Sequence, residues 1–102
     1  MKGFGDNKSI NSNHIKRDKD FFLKNKLDLA KNFLLSGDVL QAQKIYSRLV
    51  NEGFISYDLF FSYALLSRNC LEFKTAKELL IRSISIYPAK VNHYILLAEI
   101  LR

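Results

Sequence analysis

The sequence repeats a pattern of small and large apolar residues every 34 positions, and this repeat period constrains the fold more than any other feature. Residues 38–50 read DVLQAQKIYSRLV and residues 72–84 read EFKTAKELLIRSI, so their alanines and arginines fall at matching places. The same period relates Ala30, Ala64 and Ala98. Small residues recur where helices approach closely, and large residues recur where the remaining space is filled. A fixed period of this length predicts a stack of similar helical hairpins.

From Phe21 onward, apolar residues recur at steps of three and four, which is typical of amphipathic helices and not of strands. The pattern predicts five helices joined by short turns. The residues that mark the helix ends are Gly37, Asp38, Gly53, Ser56 and Pro88. In the second helix, the residues expected to face inward are Leu40, Ala42, Ile45, Tyr46, Leu49 and Val50.

The chain divides into a polar segment and a helical domain. Residues 1–20 are rich in Gly, Asn, Ser and Lys and show no periodicity, so we expect a flexible, disordered tail. Residues 21–102 are expected to form an all-α domain, an α-solenoid of about two and a half antiparallel helical hairpins. Its units lie at about 23–56 and 57–90, and a partial third unit lies at 91–102.

Composition limits the class of protein. Apolar residues make up 48% of the 102 residues, which suffices for one small core. The net charge of +6 would favour nucleic acid, an acidic membrane surface or an acidic partner, although ordinary solubility is the simpler explanation. The single cysteine, Cys70, indicates a reducing compartment, and the sequence has neither a secretory signal nor a membrane-spanning apolar run. We therefore expect a cytoplasmic protein with no membrane partner.

Residues with catalytic or metal-binding chemistry are few and scattered. His14 and His93 have no Cys, Asp or Glu partner at the spacing of a zinc site, and solvated histidines are the simpler interpretation. Cys70 has no neighbouring histidine, and the only close pair of acids is Asp18 and Asp20. The sequence contains no glycine-rich phosphate loop. It therefore predicts no enzyme activity, no metal site and no cofactor.

The residues at period-related positions define a recurring pattern. The second unit holds Phe60, Tyr63, Ala64, Ala76, Leu80, Ser83 and Pro88. The first holds Leu29, Ala30, Phe33, Ala42 and Tyr46 and departs from the pattern at Leu49 and Phe54, and the third begins with Tyr94, Leu97, Ala98 and Leu101. Over about residues 22–102 this pattern resembles the tetratricopeptide repeat family, whose unit is a helical hairpin of about the same length as the repeat period. The segments MKGFG and FLLSGDVLQAQKIYSRLVNEGF are similar to the start of larger bacterial proteins of this family, in which a repeat array precedes further repeats or a transferase domain.

The resemblance implies a concave face lined mainly by the first helix of each unit. The residues that would line it are Lys24, Leu27, Lys31, Leu34, Asp58, Phe61, Leu65, Arg68, Asn92, Ile95, Glu99 and Arg102. This mixture of apolar and charged side chains would suit a peptide or a partner helix with hydrophobic anchors and some acidic character. Leu27, Phe61 and Ile95 have an alternative role, because such residues also pack against neighbouring helices.

The last helix is apolar around much of its circumference. Its exposed interface is expected to comprise Leu96, Leu97, Ile100 and Leu101. A surface of this kind is seldom bare in water, so we expect it to dock onto a second copy, another protein or a continuation of the chain. A homo-oligomer formed through the last helix is one of these three alternatives.

The function most consistent with these features is a protein-interaction module, a scaffold or adaptor that binds a protein or peptide without catalysis. The alternative is a truncated or accessory N-terminal segment of a larger repeat-containing transferase, with no independent role. An RNA-binding helical repeat ranks third. The net positive charge would help it, but the polar pairs that read bases in such repeats are not evident in the sequence.

Overall fold

The computed structural model describes the backbone of residues 4–101 and the side chains of residues 18–101. This part of the chain is all-α. Its five helices, named α1 to α5, are Phe4–Leu35, Val39–Asn51, Tyr57–Asn69, Phe73–Ile86 and Val91–Leu101. Each helix packs antiparallel against the next, and α3 also contacts α5. None of the helices in residues 4–101 combines the length and the apolar character needed to cross a membrane.

Helix α1 contains the start of the predicted helical domain. The flexible tail expected at residues 1–20 falls mainly on residues 1–17, which lie outside the described side chains. Residues 18–20 are exposed and belong to α1. The helix therefore continues without a break through residue 21, the predicted start of the helical domain. The first apolar residues of that domain lie within α1 and not at its start.

The turns after α1 and after α3 have the same hydrogen bonds, one repeat period apart. The backbone N–H of Asp38 donates to the carbonyl of Phe33 at 2.8 Å. The N–H of Glu72 donates to the carbonyl of Ser67, also at 2.8 Å. Asp38 has φ −92° and ψ 73°, and Glu72 has φ −94° and ψ 71°. The pair α1 and α2 and the pair α3 and α4 are therefore joined in the same way.

One residue in each of these turns has a left-handed backbone conformation. Gly37 has φ +86°, and Leu71, which lies one repeat period later, has φ +65°. Glycine adopts this conformation without steric cost, whereas a residue with a Cβ atom is strained there. The side chain of Leu71 is 73% exposed, so burial offsets little of that strain. The second turn therefore keeps the geometry of the first at a cost in stability.

The core lies at the contacts between helices that are neighbours in the sequence. Its buried apolar residues are Ala30, Ala42, Tyr46, Leu49, Leu59, Phe60, Ala64, Leu66, Ala76, Leu79, Leu80 and Leu96. Ala30 and Ala64 are fully buried. Ala98, at the period-related position of α5, is exposed, because no described helix packs over that side of α5. The period in the sequence therefore corresponds to buried contacts in α1 and α3 and to an uncovered surface in α5.

The predicted inward face of α2 is correct except for Leu40. Ala42, Tyr46 and Leu49 are buried, at successive steps of four and three residues. Leu40 is 60% exposed, so its predicted inward position is wrong. It precedes Ala42 by two residues and therefore lies about 200° around the helix axis from the buried row.

Two predicted N-caps are confirmed. The carboxylate of Asp38 accepts a hydrogen bond from the N–H of Gln41 at 3.3 Å. The hydroxyl of Ser56 accepts one from the N–H of Leu59, also at 3.3 Å. Each bond satisfies an amide in the first turn that has no partner within its own helix. The caps therefore fix where α2 and α3 begin.

Replacing Ala64 by a larger residue tests the buried small contact. Ala64→Leu is expected to lower the free energy of unfolding by about 1–3 kcal/mol, because extra methylene groups overpack a filled site. The matched control is Ala98→Leu at the exposed, period-related position, which is expected to change it by less than about 0.5 kcal/mol. Urea denaturation followed by circular dichroism measures both. Equal changes in the free energy of unfolding for the two substitutions would contradict the role assigned to the small side chain of Ala64.

The strain at Leu71 gives a second prediction. Leu71→Gly is expected to raise the free energy of unfolding by about 0.5–1 kcal/mol, because the relief of left-handed strain exceeds the added entropy of the unfolded chain. Gly37→Ala is the reverse change. A Cβ atom at Gly37 would meet nothing within 4 Å, so only the backbone conformation opposes it. Gly37→Ala is expected to lower the free energy of unfolding by about 1 kcal/mol. Urea denaturation measures both variants, and a Leu71→Gly variant less stable than the wild type would contradict the strain assigned to Leu71.

Candidate binding groove

An open groove with a volume of about 890 Å³ runs between α1 and α3. Helix α1 supplies Asp20, Leu23, Lys24, Leu27, Asp28, Lys31 and Leu34. Helix α3 supplies Asp58, Ser62, Leu65, Leu66 and Asn69, and the remaining lining residues are Val39, Tyr46, Ser56 and Cys70. Because α2 packs against both α1 and α3, it holds the two walls apart and contributes part of the lining.

The groove brings together six of the residues predicted for a concave face. They are Lys24, Leu27, Lys31, Leu34, Asp58 and Leu65. Residues 24, 27, 31 and 34 lie at successive helical steps on α1, so they share one side of that helix. These four residues, which the resemblance implied for a concave face, therefore lie together on α1.

The other five predicted residues in the described part of the chain do not line this groove, and Arg102 lies outside it. Phe61 is half-buried, and its ring stacks on Tyr57 with 5.6 Å between ring centroids. A guanidinium nitrogen of Arg68 lies 2.6 Å from a carboxylate oxygen of Glu99, so this pair links α3 to α5. The remaining two are on α5, both exposed: Asn92 and Ile95.

The groove combines apolar side chains with charges of both signs. Leu23, Leu27 and Leu34 are half-buried, and Leu65 is 36% exposed. The cations Lys24 and Lys31 lie among three aspartates, which are Asp20, Asp28 and Asp58. The predicted preference for an acidic ligand therefore has no counterpart in the lining. A segment with aliphatic side chains and charges of both signs fits it better.

Sequence reasoning missed several lining residues. They are Asp20, Leu23, Asp28, Ser62 and Asn69. Asp20 and Asp28 lie four residues before and four residues after Lys24, so the helical spacing places all three on one side of α1. Ser62 lies one repeat period after Asp28, so the period would have found it.

Two tyrosines near the groove have a perturbed pKa. Burial raises the pKa of Tyr46, and a hydrogen bond with Ser62 lowers it by a smaller amount. Burial also raises the pKa of Tyr57, and the neighbouring carboxylate of Asp58 raises it further. Both phenols are therefore held in the neutral form, as hydrogen-bonding and packing groups.

His93 has a different environment from the one predicted. The sequence predicts a solvated histidine, but His93 is fully buried. Its ring lies edge-on to Tyr57 and Tyr94 at centroid distances of 5.5 and 4.8 Å, and Nδ1 is 3.4 Å from the hydroxyl oxygen of Ser83. The position lies one repeat period after the buried Leu59, which explains why it faces the core.

One thiol, that of Cys70, is among the side chains that line the groove. The thiol of Cys70 is at its end, where Nε2 of Gln43 donates to it at 3.6 Å. Within residues 18–101, no three side chains of His, Cys, Asp or Glu come together as a metal site would require.

The predicted exposed interface on α5 needs correction. Leu96 is only 4% exposed, so its predicted exposure is wrong, because it lies on the side of α5 that joins the core. Leu97 and Ile100 are half-buried against that core, whereas Leu101 is 59% exposed. The side of α5 that faces away from the core carries Val91, Tyr94, Ile95, Ala98 and Leu101.

Comparisons with models of protein families, with curated proteins and with solved structures find no match. Function must therefore be inferred from features of the chain itself. The groove between α1 and α3, the uncovered side of α5 and the repeat period are the features that bear on it.

The raised pKa of Tyr46 gives a prediction for alkaline pH. A group with a raised folded-state pKa contributes stability that is complete below its unfolded pKa, about 10 for tyrosine, and that is lost as the pH rises through the folded value. The free energy of unfolding is therefore expected to fall above about pH 10. Tyr46→Phe should make that fall shallower. Urea denaturation at several pH values between 8 and 11 measures it, and parallel curves for the two proteins would contradict the assignment.

Proposed function

We propose that this protein is a cytoplasmic interaction module, an α-solenoid of the tetratricopeptide type that binds a peptide or partner helix without catalysis. The observation that carries the proposal is the groove between α1 and α3, in which six residues predicted to line a concave face lie together. Four residues of that set lie on one side of α1: Lys24, Leu27, Lys31 and Leu34.

The repeat character is supported by helix boundaries as well as by residues. Helices α1 and α3 end at residues 35 and 69, α2 and α4 begin at residues 39 and 73, and α3 and α5 begin at residues 57 and 91. Each of these three intervals equals the repeat period. The hydrogen bonds of the turns after α1 and α3 recur at the same interval. A single unit that recurs in sequence, in helix limits and in turn geometry is what a solenoid requires.

The chemistry of the groove favours an amphipathic ligand. Leu27 and Leu65 stand on opposite walls and offer apolar contacts to a segment that lies between α1 and α3. Lys31 and Asp58 add one charge of each sign. Helical and extended peptides that bind in grooves use this combination, with apolar anchors for affinity and flanking charges for orientation.

The distribution of charge disfavours RNA as the ligand of the groove. Residues 18–101 contain eleven lysines and arginines against nine aspartates and glutamates, a net charge of +2, whereas the whole chain carries +6. Most of the positive excess therefore belongs to residues 1–17 and residue 102. In the groove itself the aspartates outnumber the lysines, and a polyanion requires the opposite balance.

Paired variants test the groove. The groove variant Lys31→Glu, Leu65→Asp changes one exposed lysine and one exposed leucine on the walls. The control variant Lys77→Glu, Ile81→Asp makes the same kind of change at exposed residues of α4, outside this groove. The tag is placed at the N-terminus, and proteins captured from native cells are quantified by mass spectrometry.

The groove variant is expected to capture at least about tenfold less of the proteins that the wild type and the control variant both capture. The reason is that charge replaces an apolar contact in the groove. Circular dichroism checks that both variants fold. The same proteins at the same levels with all three forms would refute the groove as the binding site.

A further inference from the structure

Helix α5 carries an uncharged strip that we name the α5 outer face, defined by Val91, Tyr94, Ala98 and Leu101. These residues follow one another at steps of three, four and three, so they lie on one side of the helix. Val91 is 65% exposed, Tyr94 46% and Leu101 59%, and Ala98 is also exposed. An uncovered strip of large apolar residues around an alanine indicates a docking surface.

The chain shows what covers the equivalent strip of α3. Phe60, Ala64 and Ser67 lie one repeat period before Tyr94, Ala98 and Leu101, and each is 1% exposed or less. Helix α4 packs along α3. The guanidinium of Arg82 on α4 lies over the ring of Phe60, at 4.5 Å from its centroid. The occupant of such a strip is therefore an antiparallel helix with a cation over the aromatic residue.

Helices α2 and α4 share the pattern by which such a helix packs. Helix α4 has AKELLIRS over residues 76–83, and α2 has AQKIYSRL over residues 42–49. Both contain alanine, then an aliphatic residue and a second bulky residue at the third and fourth positions after it, and arginine at the sixth. The alanine permits close approach, the bulky residues fill the seam, and the arginine lies at its edge.

We propose that the α5 outer face docks a helix of this pattern from a partner protein. This inference rests on the repeat period that supports the proposed function, and it does not depend on the groove. The small residue of the partner helix packs on Ala98, and its arginine stacks on Tyr94. The ring of Tyr94 is held for this contact, because its hydroxyl donates to the carbonyl of Pro88 at 2.9 Å.

A second copy of the chain does not provide this helix. In each copy, Ala42 and Tyr46 of α2 and Ala76 and Leu80 of α4 are already buried in their own hairpins, at 3% exposure or less. Presenting either helix to a second copy would require opening its hairpin. A partner with an unpaired helix of the same pattern avoids that cost.

A synthetic peptide with the sequence of residues 72–87, EFKTAKELLIRSISIY, provides the test. It is titrated into the full ¹⁵N-labelled chain, and amide shifts are followed by NMR. Saturable shifts centred on residues 91–101 are expected. Ala98→Glu in the chain is expected to weaken binding at least about tenfold, and a peptide with Arg82→Glu should bind about two- to fivefold more weakly.

Two controls make the result decisive. Ala98 is exposed, so Ala98→Glu should retain the wild-type circular dichroism spectrum. The groove variant Lys31→Glu, Leu65→Asp should bind the peptide as the wild type does, which separates this surface from the groove. An unchanged affinity of Ala98→Glu, shifts centred on Ala64 in place of α5, or concentration-dependent dimerisation in sedimentation that Ala98→Glu abolishes would each overturn the proposal.

Discussion

Close approach of neighbouring helices at buried alanines is the constraint on which the rest of the structure depends. Ala30, Ala42, Ala64 and Ala76 are all fully buried, one on each of the first four helices. A small side chain lets two helix backbones come near enough for larger neighbours such as Tyr46 and Leu80 to fill the space beside them. The regular spacing of the alanines therefore sets the spacing of the helices, and hence the position of every surface between them.

The groove follows from this arrangement. Helix α2 packs between α1 and α3, and a ring contact between Tyr46 and Tyr63, whose centroids are 5.7 Å apart, joins α2 to α3. The sides of α1 and α3 that line the groove form its two walls, which carry both leucines and charged residues. The groove is thus produced mainly by the packing of helices.

The sequence predicts α2 to α5 and the end of α1 well, because apolar spacing, the caps at Asp38 and Ser56 and the glycine at residue 37 each report on local geometry. It does not predict that α1 begins at Phe4, because residues 4–20 lack a helical pattern of apolar residues. Six residues that the family resemblance implied for a concave face line the groove, four on α1 and two on α3. Prediction from the sequence fails where burial depends on which helix lies beside a residue. Leu40 and Leu96 are both leucines on apolar helices, yet one is exposed and the other buried. His93 shows that a polar residue can occupy a core position when the period places it there.

The order of packing has a consequence for how the chain folds. Each helix contacts its neighbour in the sequence, and the longest described helix pairing, α3 with α5, skips only one element. Chains dominated by such short-range contacts close small loops during folding and reach the native state quickly, in the microsecond to millisecond range typical of local topologies. Folding can begin in either hairpin, α1 with α2 or α3 with α4, because the residues that each hairpin brings together are close in the sequence.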